Sequence, residues 1–339
     1  FGLQVAAPAI HVILPVGISF YTFQALSYTV NVYRGLMAPA RSLADFALYV
    51  SFYPQLVAGP IEKAHHLLPQ IEEPRTVTLD GFYSGAWLVT WGLFKKVVIA
   101  DACAPLTDAV FRHPGTHAGF SILVAAYAFT WQIYCDFSGY SDIARGLARM
   151  MGVDLLVNFD TPFFSRNIVE FWRRWHISLS NWFREYVYIP LGGNRVGRAR
   201  WGWNLFVVFV VSGLWHGAAS RYVAWGVMHG IAVVLLTLWK APIDRLLAPI
   251  PARLRHGLGV VLTFHYVVAA FALWQYERVG DWMAGMGRIF TAFHDGPSPG
   301  ANLGKLLLLA AFPSFVELLL QKRRDMLAPL DWPLAARAA

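Results

Sequence analysis

The feature that most constrains this chain is a series of apolar stretches, near 10–33, 82–100, 118–135, 203–219, 222–239, 257–275 and 302–320, separated by short polar segments. At about 1.5 Å per residue, each is long enough to cross most or all of a ~30 Å hydrocarbon layer as a helix. Hydrocarbon offers backbone amides no water to bond, so such stretches must close their hydrogen bonds internally. The composition agrees: 339 residues that are 57% hydrophobic and 14% charged, with 14 Trp and 24 Phe, carry more apolar surface than one aqueous core can hide. The expected fold is an all-α integral membrane bundle forming a single domain over 1–339, with no fixed-period repeat and no long flexible linker. A shorter apolar stretch, 44–58, ends at Pro54 and Gly59-Pro60 and reads as re-entrant or interfacial.

The formal net charge of +8 argues for nucleic acid only if the basic residues share a surface. Here they fall in short runs between apolar spans, where they read as membrane-orienting loops. Residues 192–201 carry three arginines and no acid, 240–256 carry four Lys/Arg and one acid, and 321–324 read QKRR, whereas 276–301 hold two basic and three acidic residues. Four crossings between them put the basic segments on one side, expected to be cytosolic. Cys103 and Cys135 show no disulfide or zinc spacing and read as apolar core residues. The chain opens on Phe1 without Met or leader features, so a fragment lacking helices at its ends is expected.

Within this oily chain, FWRRWHISLS at 171–180 places two arginines and a histidine among aromatics. Asn167 as N-cap with Glu170 three residues on, and Pro190 before Gly192-Gly193, predict one helix from Ile168 to Ile189. At 100° per residue its apolar side chains share one arc, with Arg173, Arg174, Ser178, Ser180 and Arg184 opposite, which describes an amphipathic interfacial helix. His176 projects to the apolar side, either as a hydrogen-bonded core histidine or as a functional one.

In VSGLWHGAAS, His216 lies some 20 Å beyond Trp203 along a helix. Ionisable groups at such depth are expensive and mark functional sites by default. Gly213 and Gly217 bracket it and allow close approach. A neutral imidazole can take a proton from a hydroxyl and return it to a leaving group, and no GxSxG motif offers a serine nucleophile, so direct transfer to an alcohol is expected. Other polar residues fall at helical spacing: Gln132, Asp136 and Tyr140 on one face, and Gln24, Tyr28 and Asn31 on another. They line a passage or join helices, and Asp136 is the candidate partner that orients a histidine or arginine. His229, 13 residues past His216, is placed to line the same cavity, and His265 also lies within a span. The remaining histidines sit near span ends or in loops.

These motifs taken together resemble the membrane-bound O-acyltransferase superfamily, in its bacterial branch of alginate O-acetylation and teichoic acid D-alanylation proteins. The resemblance rests on PVGISFYTFQALSY at 15–28, FYPQLVAGPI at 52–61, GLFKKVVIAD at 92–101, QIYCDFSGYSDIARGLARMMG at 132–152, FWRRWHISLSNWFREYVYIPLGGNR at 171–195 and GLWHG at 213–217. Cys135 and Asn181 are small departures. The resemblance implies that His216 is the catalytic histidine, His176 the second core histidine, and Trp215 a neighbour within the GLWHG motif. It implies a polytopic bundle in the bacterial inner membrane around a central channel, with acetyl-CoA or another acyl thioester as donor and no bound cofactor or metal. It further implies an extracytoplasmic polysaccharide acceptor, reached with periplasmic acetyltransferase partners. Arg173 and Arg174 then face headgroups or the donor's phosphates. The competing classes are D-alanyl transfer to a cell-wall polymer, a proton-coupled transporter or flippase, and a scaffold for periplasmic partners.

Overall fold

The computed structural model describes residues 17–296 and 302–321; His11, the first part of the 10–33 stretch and most of the QKRR run lie outside them. The chain runs through α1 (Ile18–Tyr33), α2 (Leu43–Ser51), α3 (Ala64–Glu72) and α4 (Leu79–Leu93), then a π-helical stretch Phe94–Ala100 leading directly into α5 (Asp101–Phe111). Next come α6 (Gly119–Met150), α7 (Ile168–Arg174), α8 (Ile177–Phe183) and a second π-helical stretch Arg184–Tyr188. The C-terminal half holds α9 (Arg198–His216), α10 (Ser220–Leu238), α11 (Lys240–Leu247), α12 (Ala252–Ala272), α13 (Val279–Thr291) and α14 (Asn302–Gln321). No strand occurs among the described residues.

Several starts are locally encoded. Ser42, Thr78 and Asn167 each accept a hydrogen bond from the backbone N–H three residues on, capping α2, α4 and α7. The 32-residue α6, roughly 48 Å long, is the mast of the bundle and extends well past the expected 118–135 stretch. Its polar second half stays helical because α4 packs against it backbone to backbone: a Cβ on Gly92 would lie 2.5 Å from the Gly139 oxygen, and one on Gly85 2.5 Å from the Gly146 oxygen. Small residues at such a seam are the usual means of close helix packing in lipid. The hairpin of α9 and α10 uses the same device, since a Cβ on Gly213 would meet the Tyr222 oxygen at 2.3 Å and one on Gly226 the Phe209 oxygen at 2.4 Å.

The main core gathers α5, α6, α7, α10 and α12 around Trp131, Tyr134, Phe171, Trp175, Trp225 and Phe271. Smaller clusters join α2 and α3 to the end of α6, and α1 to α8. The stretches Ser220–Leu238 and Ala252–Gln275 are long and apolar enough to cross a membrane. Both leave large apolar side chains uncovered, among them Ile231, Leu235, Leu258 and Leu262, as a lipid-bathed surface requires.

The continuous helix expected over 168–189 is not observed. Its cap holds, with the Glu170 N–H bonding Asn167 Oδ1 at 2.9 Å, but the helix stops at Arg174. Trp175 is extended, His176 adopts a left-handed conformation at φ 43 and ψ 56, and α8 begins anew at Ile177. The break rotates the second half, so Ser178, expected on the polar face, is buried.

Candidate functional site

His176 sits in the break between α7 and α8. The residues after it are tied to the segment before α7: Ile177 N–H donates to the Asn158 carbonyl at 2.9 Å, and Ser178 N–H and Oγ donate to Asn158 Oδ1 at 3.3 and 2.9 Å. Its imidazole is enclosed by Phe137, Trp215 and Phe20, with ring centroids 4.6, 6.3 and 6.5 Å away. Its Nε2 is buried and has no hydrogen-bond partner within the protein.

His216 is the last residue of α9, with Gly217 as its C-cap. Its ring lies 4.7 Å from Trp215, 4.8 Å from Trp274 and 5.1 Å from Trp225, centroid to centroid. The sequence places it inside a span; it stands instead where the helix ends, and a Cβ on Gly217 would collide with the Tyr222 ring at 2.6 Å. The small residue there admits an aromatic ring of the protein itself. His216 keeps partial accessibility, whereas His176 is 3% exposed and His229 fully buried.

His229 lies on α10, one turn beyond Trp225, with ring centroids at 4.7 Å. The Trp172 indole donates to its Nδ1 at 3.3 Å, which leaves the proton of the neutral ring on Nε2, and Nε2 has no acceptor within the protein. The indole N–H groups of Trp225 and Trp274 and the Tyr266 hydroxyl are likewise buried without partners. Trp215 therefore links His176 to His216, and Trp225 links His216 to His229. Three imidazoles and a set of unspent donors share one aromatic neighbourhood at the junction of α7, α8, α9, α10 and α12.

A sequence profile of the membrane-bound O-acyltransferase family matches residues 40–270, a stretch containing all three of these histidines. The chain belongs to the membrane-bound O-acyltransferase family. It is 44% identical over 270 residues to the protein named probable alginate O-acetylase AlgI of Pseudomonas aeruginosa, covering 79% of this chain and 50% of that one. It is 38% identical over 250 residues to the peptidoglycan O-acetyltransferase of Helicobacter pylori, covering 66% and 47%, and 28% identical over 268 residues to the teichoic acid D-alanyltransferase of Bacillus subtilis, covering 75% and 67%. The chain spans about half the length of the alginate and peptidoglycan relatives it matches.

The other polar residues singled out in this acyltransferase-family chain are not gathered around the histidines. Asp136 is half exposed and pairs with Lys96 at 2.7 Å rather than orienting a histidine or arginine. Gln132 accepts from Thr107 at 2.8 Å, joining α6 to α5, and the Tyr140 hydroxyl meets the backbone N–H groups of Val57 and Ala58. The three share a helix face by spacing, but each is drawn to a different neighbour. Phe137, one residue past Asp136, is the α6 side chain that touches His176.

Of the two arginines in FWRRWH, Arg173 is exposed, while Arg174 bonds Glu170 at 2.8 Å and Thr161 at 3.2 Å. Burial alone raises the Glu170 carboxyl, but hydrogen bonds from Arg166 and the charges of Arg174 and Arg166 outweigh it and hold the group below its ordinary range. Arg174 thus braces α7, leaving Arg173 as the free cation of the pair. Asn158, Trp225, Trp274 and Tyr266 were not signalled by sequence. Asn158 lies in an irregular segment, and single aromatics carry no positional signal among 14 Trp and 14 Tyr.

Proposed function

We propose that this chain is the catalytic portion of an O-acyltransferase that moves an acyl group, acetyl in the leading reading, from a cytosolic thioester such as acetyl-CoA towards hydroxyls of an extracytoplasmic polysaccharide. The observation that carries the reading is the placement of His216: a partly accessible imidazole at a helix end, ringed by three tryptophans, two of which connect it to two enclosed histidines. His216 acts as general base. It takes the proton of the acceptor hydroxyl as that oxygen attacks the thioester carbonyl; the C–S bond breaks, and the departing thiolate receives the proton from the imidazolium. The Trp225 and Trp274 indole N–H groups, buried and unpartnered beside His216, are suited to the negative charge that develops on the carbonyl oxygen. His176 serves as the second polar contact, and exposed Arg173 meets anionic headgroups or the donor's phosphates.

The setting is a multi-pass arrangement in the bacterial inner membrane, with the 44–58 stretch re-entrant or interfacial, α7 and α8 at the cytosolic lip of a channel, and 276–301 on the far side. Periplasmic acetyltransferase partners then carry the group onward. The names of the alginate and peptidoglycan relatives support a polysaccharide acceptor, and that of the D-alanyltransferase supports acyl transfer to a polymer in general.

The test is full-length protein in liposomes with labelled acetyl-CoA and candidate acceptors. A positioned base contributes about 10² to 10⁴ in rate, so His216→Ala should lose transfer by at least that factor while melting normally. Near-normal acylation by that variant would sink the assignment, and proton-coupled flux without acyl transfer would favour a transporter.

A further inference from the structure

We propose that Asn158 is the positioning residue of His176, acting by imposing the chain break that turns this imidazole inward; the inference rests on His176 belonging to the acyl-transfer site. Left to its own pattern, the segment 168–189 favours one amphipathic helix. Instead His176 holds the left-handed conformation, which a non-glycine residue keeps only when its surroundings over-determine it.

The determinants converge on one residue, two of them on its side chain and one on its backbone carbonyl. Asn158 is 1% exposed, and it receives the N–H of Ile177 on its carbonyl and both the N–H and hydroxyl of Ser178 on Oδ1. These are the two residues directly after His176, so the three bonds fix the direction in which the chain leaves it. The clamp is anchored from behind on two other segments: Asn158 Nδ2 donates to Ser141 of α6 at 3.3 Å, and Ser178 Oγ receives the Ile61 N–H at 2.9 Å. A parallel bond, Asp160 N–H to the Arg174 carbonyl at 2.9 Å, joins the same two segments on the near side of the break. Without the Asn158 side chain, the turn keeps only the Ile177 bond to the backbone carbonyl, and the 174–178 segment can relax towards continuous right-handed helix, which swings the imidazole away from Phe137 and Trp215.

The experiment compares full-length wild type, Asn158→Ala, Asn158→Asp, Ser178→Ala, His176→Ala and Asn204→Ala in liposomes. Asn204, also buried, donates to the Leu191 and Gly193 carbonyls and serves as a matched structural control. The readouts are kcat and KM for acetyl-CoA, melting temperature, and residue-resolved modification of histidines by diethyl pyrocarbonate. Asn158→Ala should lower kcat at least tenfold with KM within twofold, and should expose His176 to modification. Asn158→Asp, which keeps an acceptor for Ser178, should recover much of both, and Asn204→Ala should melt lower with kcat retained and His176 protected. If Asn158→Ala fails to fold, Ser178→Ala, which deletes the hydroxyl bond to Asn158 Oδ1 and the Ile61 anchor but keeps the Ser178 N–H bond, should show the same changes in smaller degree.

Protection of His176 in folded Asn158→Ala, or in Ser178→Ala if that variant alone folds, overturns the proposal. So does a loss of kcat in Asn204→Ala equal to that in Asn158→Ala. If His176→Ala retains full activity, the role of His176 in transfer is wrong, and the modification readout still decides whether Asn158 holds it in place.

Discussion

Glu62 is fully buried just before α3, and its two carboxylate oxygens are separately engaged, one by the Leu156 N–H at 2.6 Å and the other by His66 Nδ1 at 2.7 Å. The bond to Glu62 raises the His66 pKa above its ordinary 6.5, against a smaller opposing effect of burial. A histidine whose folded pKa is raised contributes stability that is fully present below the unfolded value and is lost as pH climbs through the folded one. The stabilisation that His66 provides, read as the melting temperature of the wild type minus that of His66→Gln, should therefore shrink from pH 6 upward through the raised pKa; parallel profiles would show that the dyad contributes nothing. Lys95 makes a second buried connection, to Asp142 at 2.6 Å and Ser138 at 2.9 Å, with Arg145 3.6 Å from the same aspartate. Lys95→Met leaves the buried carboxylate with only the longer Arg145 contact and should cost up to about 3–5 kcal/mol, while the double variant Lys95→Met/Asp142→Leu should cost less than the single, as measured by unfolding in detergent. The histidines were visible in the sequence because an imidazole within an apolar run is conspicuous. Asn158 was not, because a polar residue in an irregular segment looks the same whether it faces solvent or clamps a neighbouring turn.

A helix start was readable where a cap and an apolar run coincide, as at Asn167 before α7. The interruptions of helices were not. The break at His176 is imposed by hydrogen bonds from a segment 15 or more residues upstream, and the helical wheel that predicts continuity carries no information about them. The two π-helical stretches, Phe94–Ala100 and Arg184–Tyr188, likewise left no mark that periodicity could detect. The glycine seam between α4 and α6 makes a sharp element-scale prediction. Gly92→Ala must push the helices apart or strain them and should cost about 1–3 kcal/mol, whereas Gly115→Ala, whose Cβ would meet nothing within 4 Å, should leave the melting temperature within a degree or two. Equal effects at the two positions would show that the seam is not close-packed in the membrane.

For the whole molecule, the charge asymmetry of the loops gave an orientation that labelling can check. Cys103 and Cys135 are both buried, so the native thiols should contribute little background to a membrane-impermeant maleimide. Arg195→Cys should be labelled only when the cytosolic face is opened, and Asp281→Cys, on α13, should be labelled in intact cells; the reverse pattern would invert the topology. The all-helical bundle and its central histidines were legible from hydropathy and motif order, while the way α7 and α8 are bent around Asn158 required three dimensions. The α4–α6 seam has one more consequence, for the order of assembly. Backbone meets backbone at Gly85, Gly92, Gly139 and Gly146, with few side chains left to find their rotamers, so this antiparallel pair can lock as soon as both helices have formed. A ribosome stalled after residue 190 should already show 79–150 as a protease-resistant unit, a ready-made wall on which the histidine-bearing helices are laid down later in synthesis.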